Sequence, residues 1–258
     1  MQKSFSWKLF FTVWGLATLG AVAIIPYQLA LLPAELDQAP LPLLLVVSVG
    51  QSILLIGALT AIGLFLARRT SLGLPFIESW IEGNPRWDQF PAALRLAIPS
   101  GVLVGVAIVA LEIVIFQPAL SGLVPNMPDI PQPSVWKGFL ASFYGGVTEE
   151  VMLRLFFMTL LVWLGNWISR RNSRPPTLTV LWLANVVAAL LFGLGHLPAT
   201  AAVGIPLNGL VVTRSLVLNG AGGIVFGWLY WRKGLESAIA AHFCTDIVLH
   251  VLFPLIAG

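Results

Sequence analysis

Long uninterrupted apolar runs dominate the pattern along this chain, each bounded by proline, basic or small polar residues. Neither strict alternation nor a one-sided helical stripe is the rule. Runs of about 20 mostly apolar residues predict membrane spans. They fall at Trp7–Leu31, Leu41–Ala67, Leu96–Phe116, Gly138–Ile168, Leu178–His196, Leu210–Trp231 and Leu235–Ile256. The expectation is all-α: a polytopic helical bundle of about seven or eight transmembrane helices. The first run is too long for a signal-peptide core of roughly 7–15 residues and reads as a retained span.

The connections are short and informative. The segment between spans two and three carries Pro75, Pro85 and Pro91 with Trp80 and Trp87, and predicts a short interfacial helix. "SGLVPNMPDIPQPSVW" is proline-rich and reads as a stiff extended loop. "WRKG" reads as a tight basic turn.

Composition sharpens this picture. Only 10% of residues are charged and 58% are hydrophobic, against about a quarter charged in soluble domains, so an integral membrane protein is implied. The net charge of +3 gives no reason to expect a nucleic-acid partner; the partner this composition implies is the lipid bilayer. Lys3, Lys8, Arg68, Arg69, Arg86, Arg95, Arg170, Arg171, Arg174, Arg232 and Lys233 all fall on one side of a seven-span arrangement. Lys137 and Arg214 fall on the other. This asymmetry predicts a cytoplasmic N-terminus and an external C-terminus. A compact chain without a targeting peptide points to a prokaryotic plasma membrane. The single cysteine, Cys244, excludes an internal disulfide and a cysteine metal cluster and reads as a small buried side chain.

The ionisable residues inside the spans are Glu112, Glu149, Glu150, Arg154, His196, His242, Asp246 and His250. A charge at a helix centre costs at least about 2.5–3.5 kcal/mol on insertion scales, so each needs a reason. Glu150 and Arg154 stand four residues apart, share a helix face and predict a structural ion pair. Glu149, rotated about 100° from Glu150, is then free to face a cavity. His242 and Asp246 share a face, with His250 a turn further on, read as interfacial. Glu112, alone in the third span, is given no mechanism.

A carboxylate and imidazoles on three spans form a hydrolytic set. Glu149 in a low-dielectric cavity suits a general base, with His196 holding and polarising the water. His242 with Asp246 suits an oxyanion site. A metal variant would use Glu149, His196 and His242 as a two-His-one-carboxylate set for one divalent ion such as zinc, although HExxH is absent. The cofactor is thus none or one divalent metal.

These residues, in this order, resemble the CPBP family of intramembrane proteases, which includes the type II CAAX prenyl endopeptidases. EExxxR stands at Glu149–Arg154, FxxxH at Phe192–His196 and HxxxD at His242–Asp246. The resemblance covers roughly Val135 to the C-terminus. It divides the chain into N-terminal helices of unassigned role, 1–134, and a catalytic membrane domain, 135–258, with the active site inside the C-terminal four helices. It implies a peptidase cleaving a peptide or protein substrate near a membrane-associated or lipidated segment. Glu149 and His196 would activate water, and His242 and Asp246 would form the oxyanion site. Glu150, Arg154 and Phe192 would support them. Aspartate rather than asparagine at position 246 would repel an oxyanion unless protonated or paired with His242. Two other readings remain: a non-catalytic scaffold or bacteriocin-immunity factor with the protease fold, and a proton-relay transporter using Glu112, Glu149 and His196. If the catalytic groups share one depth, His196 lies too far along its span, about 30 Å from Pro176. A start near Ala184, or a tilt or kink, would resolve this.

Overall fold

The computed structural model describes residues 5–31, 40–123, 131–169 and 175–257. Among them there is no strand, and seven helices are long and apolar enough to cross a membrane. They run Trp7–Ala30, Leu41–Thr70, Phe90–Gly122, Val135–Ile168, Leu178–Ala202, Gly209–Lys233 and Leu235–Ile256. The chain is a polytopic helical bundle. The apolar runs locate every span, and the ends move by a few residues.

The fourth span is packed deep in the bundle. Val151, Leu155, Met158 and Val162 have no exposed surface, while Val46, Leu54, Leu103 and Val114 on the outer spans are more than two-thirds exposed. In a bilayer those outer faces meet lipid, which solvates them as well as a protein core would. Helices then associate through close packing, and small residues permit it. A Cβ on Gly63 would sit 2.7 Å from the Leu155 carbonyl oxygen, so the second span touches the fourth backbone to backbone.

Local signals set the helix ends. Thr177 and Asn208 cap the fifth and sixth spans, their side-chain oxygens accepting from Val180 N and Val211 N. Arg68 and Arg69 close the second span and Arg232 and Lys233 the sixth, where cations complement the helix dipole. The "WRKG" turn holds Gly234 at φ 97°, a conformation that costs other residues dearly.

Two clusters fix which helix ends lie together. At one, Leu235 N donates to Gly73 O at 2.9 Å, and the Arg68 guanidinium lies 5.4 Å from the Phe5 ring centroid. The interfacial helix Pro75–Ile81 sits here, as the proline pattern predicts, and its Phe76 and Ile77 amides both donate to Glu236 Oε1 at 2.9 Å. At the opposite end, Tyr27 meets His250 and Glu112 meets Arg214. The described basic residues Lys8, Arg68, Arg69, Arg86, Arg95, Arg232 and Lys233 belong to the first end. Lys3, Arg170, Arg171 and Arg174 lie outside the described residues, as does much of the proline-rich loop, 124–130.

Two features of the helices bear on the site. The fifth span keeps the Leu178 start of its apolar run rather than one near Ala184: its helix ends at Gly195, with a second helical piece at Leu197–Ala202. The break falls at His196, two residues before Pro198, because proline disfavours helical continuation before it. Secondly, the fourth span is not a plain α-helix. Tyr144–Glu149 and Val151–Met158 are π-helical, as are Glu112–Phe116 and Val248–Leu252. Wider π turns are rare and recur at functional sites.

Candidate active site

A cavity of about 730 Å³ opens between the spans, and Glu149, Phe192, His196, His242 and Asp246 all line it. Glu149 comes from the end of the first π segment, His196 from the break in the fifth span, and His242 and Asp246 from consecutive turns of the seventh. Three spans therefore bring the four residues to one chamber. Gly145 makes the approach possible, since a methyl there would collide with the Asp246 carboxylate and lie 3.2 Å from His242 Nε2.

His242 is the hub. Its Nδ1 donates to Glu150 Oε1 at 2.8 Å, which turns Nε2 toward the cavity. There Nε2 lies 3.7 Å from both Glu149 Oε2 and Asp246 Oδ1. Phe226 stacks on the ring at 4.5 Å between centroids, and Phe192 meets it edge-on at 5.5 Å. The imidazole is thus fixed by one hydrogen bond and two aromatic faces.

Behind it, Glu150 and Arg154 have essentially no exposed surface. Arg154 Nη1 lies 2.9 Å from Glu150 Oε1, and Nη2 donates to the Gly223 carbonyl at 3.1 Å. The guanidinium also lies over the Phe192 and Phe226 rings, at 5.1 and 5.5 Å from their centroids. Glu150 Oε1 thus faces both Arg154 and His242. The sequence spacing predicts the first of these partners and not the second.

His196 is held by its own helix end: Nδ1 lies 2.8 Å from the Phe192 carbonyl oxygen, and the Phe192 ring meets it edge-on at 4.8 Å. An Nδ1–H donating to that carbonyl leaves Nε2 as the ring's free polar atom. The first residue of the FxxxH pattern thus touches His196, His242 and Arg154 together.

The metal variant does not find its ligand set. Among the described residues no group of three histidine, cysteine, aspartate or glutamate side chains is arranged to hold a metal ion, Glu149, His196 and His242 included.

Several cavity residues escape sequence reasoning. Glu112 is not alone: Arg214 Nε donates to its Oε2 at 2.7 Å, and both residues line the chamber. The pair is about a quarter to a third exposed. His250, read as interfacial, lines the cavity, with Nδ1 3.4 Å from the Tyr27 hydroxyl. Tyr144 adds a second phenol to the lining. The first and third spans, which carry no motif, thus build part of the wall through Tyr27 and Glu112.

Comparison with known families agrees with the motif pattern. Residues 131–248 match the Rce1-like family, described as type II CAAX prenyl endopeptidase Rce1-like. Searches of curated proteins and of solved structures gave no significant match. The matched segment is thus similar to a CAAX-type intramembrane protease domain.

Proposed function

We propose that this chain, whose residues 131–248 match that protease family, is an endopeptidase hydrolysing a peptide bond beside a membrane-held or lipidated segment. The observation that carries this reading is the convergence of Glu149, His196, His242 and Asp246 on one cavity, with Glu150 fixing the orientation of His242.

Glu149 takes a proton from a water molecule that His196 helps to hold, and the resulting hydroxide adds to the scissile carbonyl. His242 Nε2 faces the carbonyl oxygen as negative charge develops on it. Because Nδ1–H is committed to Glu150, Nε2 can donate only when the ring carries both protons. Three carboxylates, Glu149, Glu150 and Asp246, surround the ring. In this scheme Asp246 partners the imidazolium at 3.7 Å rather than facing the oxyanion alone. The proton on Glu149 finally passes to the departing amine, so the enzyme returns to its starting state.

The test is cleavage of quenched peptides, farnesylated and unmodified, by purified protein in liposomes. Wild type should cleave and Glu149→Gln should not, at equal folded protein. Equal turnover by the two proteins would remove Glu149 from the mechanism. A scaffold has no use for the proton chemistry gathered here, and would cleave none of them.

A further inference from the structure

The cavity is not central along the membrane normal. From the first span only Ile24, Tyr27, Gln28 and Leu31 line it, all in its last turns. The fifth span contributes from Leu191 to Thr200, again its late part. The sixth contributes from Arg214 onward and the seventh from His242 to Phe253. A second cavity of about 510 Å³ shares Tyr27, Arg214 and His250 and continues to Pro131, Val203 and Pro254. Chamber and extension thus run from mid-bundle to one set of helix ends.

Those ends are the ones poor in basic residues. Lys8, Arg68, Arg69, Arg86, Arg95, Arg232 and Lys233 all lie at the opposite end of the bundle. At the cavity end the described basic residues are Lys137 and Arg214, and Arg214 is matched by Glu112. Lysine and arginine near span ends mark the cytoplasmic side. We propose that the active-site cavity opens on the non-cytoplasmic face of the membrane. Its substrates are then polypeptide segments that reach the membrane from outside the cytoplasm: the external flank of a membrane-held protein or an exported peptide. The nature of the substrate rests on the protease reading; the direction of opening does not.

Cysteine accessibility tests the direction directly. The sole native cysteine is removed by Cys244→Ala, and single cysteines are placed by Leu207→Cys, between spans five and six, and by Asn84→Cys, between spans two and three. Both native side chains are exposed, and neither lines the chamber. The variants are expressed in a bacterial plasma membrane and treated with a membrane-impermeant maleimide, with labelling after detergent as the measure of total accessible thiol. The expected result is labelling of Leu207→Cys and not Asn84→Cys in intact cells, and the reverse in inside-out vesicles. The opposite pattern, or equal labelling of both in intact cells, overturns the proposal. Neither outcome involves catalysis, so a failed cleavage assay leaves this result standing, and a reversed orientation leaves the protease reading standing.

Discussion

Glu150 and His242, 92 positions apart, are joined by a 2.8 Å hydrogen bond with no exposed surface on the carboxylate. The same Glu150 oxygen lies 2.9 Å from Arg154. The adjacent glutamates of the fourth span thereby have different tasks. Glu150 and Arg154 form a buried scaffold for an imidazole, and Glu149 faces the chamber that the imidazole faces.

Glu149→Gln keeps the shape of the side chain and removes the proposed base. Its expected effect is a loss of about 10²–10⁴ in kcat, the usual range for general-base removal, with KM and thermal stability near wild type. The measurement is steady-state cleavage beside a melting curve in detergent. A variant that loses activity only because it melts early would not support the assignment.

His242→Gln should lower kcat by about 10²–10³, the range seen when one oxyanion donor is lost. Glu150→Gln should act in the same direction through loosened orientation of the ring. A double-mutant cycle separates an orienting partner from an independent one. If Glu150 works through His242, adding Glu150→Gln to His242→Gln costs little further activity. Full additivity would break the proposed link.

The seven spans were legible because bilayer thickness alone demands long apolar runs, and little else in this chain competes with that signal. The motif residues were legible because charges at helical spacing inside such runs are costly and conspicuous. What the sequence hid were the partners. Spacing reveals neighbours four residues apart, such as Glu150 and Arg154; it says nothing of Glu150 with His242, or of Glu112 with Arg214 across 102 positions. Arg214 reads as a flank residue until the third span is packed beside it. The π turns were hidden for a related reason: local propensity carries no sign of a wider turn that tertiary contacts stabilise. Glu236 went unnoticed because it sits at a span's edge, where an acid needs no explanation, yet it caps the helix Pro75–Ile81.

The Glu150–Arg154 pair makes a separable stability prediction. Arg154→Met leaves Glu150 as a buried charge without its cation and should cost about 3–5 kcal/mol, seen as a sharply lowered Tm or loss of folded protein. Replacing both, Glu150→Leu with Arg154→Met, removes the uncompensated charge and should recover much of the stability. Activity should not return, because His242 Nδ1 has lost its acceptor. Recovered stability together with wild-type kcat would show that the pair serves packing alone.

Chelation addresses the two-His-one-carboxylate alternative. With no three ligands among the described residues arranged for a metal, cleavage should survive prolonged treatment with EDTA and with 1,10-phenanthroline. Loss of activity that zinc restores would reinstate Glu149, His196 and His242 as ligands and require the side chains to rearrange on binding. A parallel melting curve distinguishes a lost ion from general damage.

Gly145 offers the sharpest geometric test, because one methyl group is the whole perturbation. At this position it would overlap the Asp246 carboxylate and press on His242 Nε2 at 3.2 Å, so either the fourth and seventh spans separate or the two side chains turn away. Both routes spoil the arrangement facing Glu149. Gly220, in the sixth span, has nothing within 4 Å of the same added methyl and serves as the control. Gly220→Ala should leave kcat/KM unchanged and Tm equal or slightly raised, since alanine favours helix by up to about 1 kcal/mol. Gly145→Ala should lose cleavage by a larger factor than any drop in folded fraction explains. If Gly145→Ala cleaves as wild type does, the close contact between the fourth and seventh spans is not what sets the catalytic geometry.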